Sequence, residues 1–154
     1  MKITLMRHGE AVPFAPTDAE RRLTPTGRGE ATRTTNQLRH GGFHPTQVLC
    51  STHQRAIETA TIVADLFDLP APGSVTGILP EDPWQAALAV LESQLSEGTL
   101  VVLHQPILTQ IVGHLLSGDP RMDVEPRAVP ATAYVLSLED FVAGGATLIA
   151  AYTP

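Results

Sequence analysis

Thiols are almost missing from this chain: of 154 residues only Cys50 carries one. That excludes an internal disulfide and any cysteine-rich zinc site. Basic charge is also short, ten Lys and Arg against sixteen Asp and Glu, for a formal net charge of −6. Duplex DNA and anionic membranes are therefore not expected partners. Long apolar runs are missing too. The longest, such as Thr99 to Leu103, fall far short of a membrane span. Met1 to Met6 runs straight into Arg7-His8 without the apolar centre of a signal peptide, so the cytoplasm is the expected compartment.

What remains is enough for a core. Hydrophobic residues make up 43% of the chain, and mean hydropathy is +0.06. A chain of this length buries roughly 70% of the surface it exposes when unfolded. No internal repeat, low-complexity tract or dividing linker is visible, which predicts one domain over residues 1–154. The basic residues that do occur are unevenly placed. Lysine is represented by Lys2 alone, and seven of the nine arginines precede residue 56. Arginine binds carboxylate and phosphate through a planar fork, so the bias marks either an anion site or only the codon preference of the genome.

Short apolar runs alternate with segments of helical period. Ile3–Met6, Gln47–Cys50 and Thr99–Leu103 read as buried strands, with a weaker one near Ser74–Ile78. Thr24-Pro25 reads as a helix cap followed by proline in the first turn, with the helix ending near His40 before Gly41-Gly42. Further helices are expected over Gln54–Phe67, Pro83 to about Ser96, and Pro106–Leu116. Residues 121–130 are interrupted by proline and expected to be irregular. Ala133–Leu138 and Thr147–Ala151 flank Gly144-Gly145 and read as a closing antiparallel pair. This order predicts a three-layer α/β/α sandwich with a mainly parallel central sheet.

Ligands of such sheets sit beyond the carboxyl ends of the strands. Arg7-His8-Gly9-Glu10, Ser51 to Arg55, and His104-Gln105-Pro106 each follow a predicted strand directly. One strand-end histidine is weak evidence. Two histidines and two arginines converging on one edge point to phosphoryl transfer, whose transition state spreads negative charge over equatorial oxygens. Arg7 and Arg55 offer forked donors, and His104 a further one. A neutral imidazole is a competent nucleophile when its other nitrogen is held. Gly9 beside His8 permits close approach of a backbone carbonyl or of the phosphate. Nothing in this set requires a metal or another cofactor. His40, His44 and His114 lie outside the pattern, and His53 stands at its margin.

Leu5-Met6-Arg7-His8-Gly9-Glu10 resembles the Arg-His-Gly signature of the histidine phosphatase (phosphoglycerate mutase-like) superfamily. Three further blocks are similar in the same order. They are Arg22-Leu23-Thr24-Pro25-Thr26-Gly27, Ser51 to Ala60 with Arg55-Ala56 and Thr59 inside it, and Val102-Leu103-His104. The resemblance implies that His8 is the nucleophile, becoming a phosphohistidine, and that Arg7, Arg55 and His104 hold the phosphoryl group. It also implies an acidic proton donor in the Glu81-Asp82 region, with Glu81 preferred, and a substrate contact at Arg21. Ser51 either hydrogen-bonds near the phosphate or shapes its turn.

Only 25 residues lie between Arg55 and Glu81, too few for the inserted helices that cap the pocket in larger members. The compact form is most similar to the small SixA-type phosphohistidine phosphatases. An uncapped pocket suits a phosphate displayed on another protein and admits water to the intermediate, favouring hydrolysis over mutase chemistry. The implied activity is a metal-independent protein phosphohistidine phosphatase in signal transduction. The alternatives are a broad phosphomonoesterase for small metabolites and a non-catalytic phosphate-binding module.

Overall fold

Strand β4 (Thr99–Leu103) is buried at every position, and its alternation organises the whole molecule. Val101 and Leu103 face one apolar cluster with helices α3 (Trp84–Glu92) and α4 (Ile107–Ser117). Leu100 and Val102 face a second cluster with helices α1 (Pro25–His40) and α2 (Gln54–Leu66). The period of two along the strand thus separates the two helical layers. A computed structural model describes all residues, Met1–Pro154.

The remaining strands are β1 (Lys2–Arg7), β2 (Gln47–Cys50), β3 (Gly73–Ser74), β5 (Ala133–Leu138) and β6 (Ala146–Tyr152). They form one six-stranded sheet in the order β3-β2-β4-β1-β5-β6. Strands β1, β2, β3 and β4 run parallel, whereas β5 and β6 are antiparallel additions at one side. The result is the three-layer α/β/α sandwich with a mostly parallel sheet. No helix is long and apolar enough to cross a membrane.

Local chemistry explains most boundaries. The Thr24 hydroxyl accepts the Gly27 amide at 3.0 Å and caps α1, with Pro25 in its first turn; such a cap is worth about 1 kcal/mol. At the other end Gly42 takes the left-handed conformation, φ +82°, that residues with side chains avoid. Two elements are shorter than the sequence suggests. In β3, pairing stops at Ser74, since Gly77 turns at φ +88° and Val75 and Ile78 are spent on the core. Helix α3 has Pro83 as its N-cap and ends at Glu92. There the amides of Gln94 and Leu95 both return to the Leu91 carbonyl, closing the turn that feeds β4.

Candidate active site

The parallel strands β2, β4 and β1 are neighbours in the sheet, so their carboxyl ends open side by side. Arg7 closes β1 and His8 follows it, His104 follows β4, and Ser51 follows β2 four residues ahead of the buried Arg55 in α2. A cleft lies over these ends, lined by Arg7, His8, Asp18, Arg21, Arg55, Pro80, His104 and Gln105. Its wall contains no hydrophobic residue.

His8 is held on both sides. Its amide donates to the Leu103 carbonyl at 3.2 Å, and its own carbonyl accepts from Ala131 at 3.0 Å. Its Nδ1 lies 2.7 Å from the Gly9 carbonyl oxygen. A carbonyl only accepts, so Nδ1 carries the proton and Nε2 keeps its lone pair. Arg55 Nε donates to that Nε2 at 3.3 Å. Burial, followed by the charges of Arg55, Arg7 and Arg21, depresses the His8 pKa to about 4 despite the Gly9 carbonyl. The imidazole is therefore neutral at pH 7, and its Nε2 lone pair accepts from the Arg55 guanidinium.

The neighbouring glycine is explained by a backbone carbonyl. A Cβ on Gly9 would collide with the carbonyl of Gly27, and one on Gly27 with the backbone of Glu10. The loop after β1 and the first turn of α1 thus pack main chain against main chain. Thr24 donates its amide to the Glu10 carbonyl at 3.0 Å and its hydroxyl to the Glu10 carboxylate at 2.6 Å. The Gly9 amide finishes on Thr59 Oγ1 at 3.1 Å. Three separated blocks of sequence thereby become one scaffold under His8.

His104 is 1% exposed, and its ring centroid lies 5.1 Å from that of His8. Burial, then the neighbouring His8 and Arg55, push its pKa down to about 2. Its Nε2 lies 2.5 Å from Ser51 Oγ, and its buried Nδ1 has no partner. Ser51 is fully buried and does not line the cleft; its hydroxyl touches His104 instead. Arg7 donates Nη1 to the Ala128 carbonyl at 2.8 Å, while its buried Nε has no partner. Arg21 reaches into the cleft, anchored by Nε on the Val12 carbonyl at 2.7 Å.

Glu81 stands apart from this group. It is exposed and does not line the cleft, although Pro80 beside it does. The Asp82 carboxylate accepts the Leu79 amide at 2.7 Å. Two residues in the cleft region carry little signal in the sequence. Asp18 opens a single 3-10 turn, Asp18–Glu20, and places its carboxylate 2.9 Å from Arg21 Nη1 and 3.1 Å from Arg55 Nη2. His53 is buried against His104 with ring centroids 5.3 Å apart, and its Nε2 lies 3.4 Å from Asp18. Only the Thr17-x-x-Glu20 capping pattern beside Asp18 offered a clue that this loop is ordered.

The sequence profile of the histidine phosphatase superfamily (branch 1) matches residues 3–73. The phosphohistidine phosphatase SixA of Escherichia coli K12 is 32% identical over 123 residues, covering 77% of this chain and 76% of that protein. Among solved structures, the protein histidine phosphatase SixA complexed with tungstate superposes with a TM-score of 0.83 at 26% identity, covering 100% of this chain and 97% of the other. A putative phosphohistidine phosphatase SixA from Nakamurella multipartitia reaches 0.76 at 26% identity, covering 99% and 95%.

Proposed function

The chain belongs to the histidine phosphatase superfamily and is a phosphatase, and from that membership we propose that it hydrolyses phosphohistidine on a protein. The phosphoryl group passes through an intermediate on its own His8. In this reading residues 1–154 are a single histidine phosphatase domain acting in the cytoplasm. The observation that carries it is the neutral His8, with Nδ1 bound to the Gly9 carbonyl and Nε2 facing Arg55 in a cleft lined mainly by charged and polar side chains.

The roles follow from atoms. His8 Nε2 attacks phosphorus, and the bond to the leaving group breaks with its electron pair. Arg55 and Arg7 take the equatorial oxygens, because each has guanidinium N–H groups still uncommitted. With the Ser51 hydroxyl donating a hydrogen bond to His104 Nε2, the ring proton sits on the unpartnered Nδ1 as a further donor for a phosphoryl oxygen. Arg21 contributes charge from the opposite wall. Water then attacks the phosphohistidine, and inorganic phosphate leaves. A leaving imidazole takes its proton from solvent in the open cleft. Glu81, next to the cleft residue Pro80, is the acid we assign to esters, whose departing alkoxide needs a proton more urgently.

A protein substrate is supported by what surrounds the cleft. No helix stands between α2 and α3, and the crossing chain contains only the two-residue β3. On the loop leading to Asp18, Phe14 is 88% exposed, and Val129 is exposed next to the Arg7 contact at Ala128. A charged, open pocket without a covering helix suits a protein face carrying the phosphate better than a small sugar phosphate. The similar SixA structure holds tungstate, an oxyanion of comparable charge.

Turnover of p-nitrophenyl phosphate and of a phosphohistidine protein, both in EDTA, tests the proposal. The wild type should favour the phosphohistidine protein, and His8→Ala should lose both activities. Preference for the small ester would replace the reading with a general phosphomonoesterase, and a fully active His8→Ala protein would remove the mechanism.

A further inference from the structure

The cleft contains one carboxylate, that of Asp18. Its 3-10 turn is exposed throughout, and the Asp18 side chain itself is 55% exposed, so no part of the apolar core depends on it. Yet it makes more polar contacts than any other acid near the site. Oδ1 accepts from Arg21 Nη1 at 2.9 Å, and Oδ2 accepts from Arg55 Nη2 at 3.1 Å and lies 3.4 Å from His53 Nε2. The main-chain carbonyl of the same residue accepts from Arg55 Nη1 at 2.9 Å.

These contacts account for the guanidinium of Arg55 nitrogen by nitrogen. Both Nη atoms are held by Asp18, one through the backbone and one through the side chain, and Nε faces His8 Nε2 at 3.3 Å. Because the group is planar and rigid, fixing its outer edge fixes the direction of the inner one. We propose that Asp18 is a positioning residue of the reaction: it clamps the outer edge of Arg55 so that the inner edge meets the phosphoryl group at His8, and it braces Arg21 across the same cleft.

The proposal rests on His8 as the phosphoryl acceptor and adds a residue that acts through two arginines. Two other roles are chemically conceivable. Hydrogen bonds from Arg21 and then Arg55 hold the Asp18 carboxyl below the usual range, which suits a permanent anion and opposes proton donation. A carboxylate seated where phosphate binds would compete with substrate, whereas here it occupies the edge of Arg55 turned away from His8.

Asp18→Ala and Asp18→Asn, compared with wild type on p-nitrophenyl phosphate and phenyl phosphate, separate these roles. Misplacing a catalytic group by about 1 Å costs up to ~100-fold. Positioning predicts that Asp18→Ala loses about 10- to 100-fold in kcat on both esters alike, that vanadate inhibits it more weakly, and that its melting temperature is unchanged. Asp18→Asn should recover part of kcat, since its amide oxygen still accepts from one arginine. Tighter vanadate inhibition with a lower KM would overturn the proposal in favour of a competing plug. A loss confined to phenyl phosphate, the poorer leaving group, would overturn it in favour of a proton donor. Full activity in His8→Ala would mark a different failure, that of the phosphoryl acceptor itself, and would remove this proposal with it.

Discussion

Strands β1, β2 and β4 end in two different kinds of chemistry. At their amino ends the polar groups are neutral or singly charged, and they satisfy one another. Gln47 Nε2 donates to Ser96 Oγ at 3.1 Å and to Thr99 Oγ1 at 2.8 Å. The Thr46 hydroxyl donates to the Glu97 carbonyl at 2.8 Å, and the Glu97 carboxylate accepts the Lys2 amide at 2.9 Å. At their carboxyl ends three arginines and three histidines gather. Of the four buried side-chain polar atoms without a partner, three lie here: Arg7 Nε, His53 Nδ1 and His104 Nδ1. Native proteins rarely leave such groups unpaired, because each costs about 1–3 kcal/mol. The closed edge spends its polarity on folding, and the open edge holds donors in reserve for an anion.

That contrast is sharpest under matched substitutions. Arg55→Ala should lower kcat/KM by about 10²- to 10³-fold, the usual cost of removing a donor to a developing oxyanion. Gln47→Leu, at the opposite edge, should leave kcat/KM within about twofold while costing about 1 kcal/mol of stability in denaturant. Comparable activity losses in the two variants would erase the distinction between the edges.

A smaller effect is expected at Ser51, which touches no substrate. Ser51→Ala removes the hydroxyl from His104 Nε2 and frees the ring to take either tautomer. A roughly tenfold fall in kcat with little change in KM is expected, since general acid–base groups and their orientation act on the chemical step. Ser51→Thr, which keeps a hydroxyl, should retain more activity than Ser51→Ala. Equal loss in both would make Ser51 a turn residue only.

The last expected effect concerns pH and stability, with no change in catalysis implied. The folded pKa values of His8 and His104, about 4 and about 2, lie below the value near 6.5 expected of an unfolded histidine. The folded protein therefore binds fewer protons than the unfolded chain between these limits. Their contribution is complete above about pH 6.5 and is lost as pH falls from there, toward about 4 for His8 and toward about 2 for His104. Denaturant midpoints measured at pH 7 and pH 5 should decline in the wild type and decline less in His8→Asn. An identical decline in both would show that burial of this imidazole is not what the acid side reports.

Much of this was legible in the sequence, for reasons that differ by region. Strand β4 was readable because burial on both faces demands an unbroken apolar run. The end of α1 was readable because Gly41-Gly42 marks a chain reversal that only glycine makes cheaply. His8 and His104 could be brought to one edge because a parallel sheet aligns its strand ends, whatever their separation in sequence. Asp18 was not legible, since its contacts with Arg21, His53 and Arg55 arise from the path of a loop with no periodicity. Ser51 was singled out, but its contact with His104 depends on β2 and β4 being neighbours. The early arginines divide likewise. Arg7, Arg21 and Arg55 line the cleft, while Arg28 and Arg33 lie exposed on α1.

The central claim is that His8 itself accepts the phosphoryl group. Rapid mixing with a phosphohistidine protein, quenching in alkali and peptide mapping by mass spectrometry measure this directly. The account predicts one acid-labile phosphoryl group on the peptide containing His8, absent from His8→Ala. A phosphoryl group on any other residue, or steady turnover with His8 never modified under conditions that preserve phosphohistidine, would contradict it.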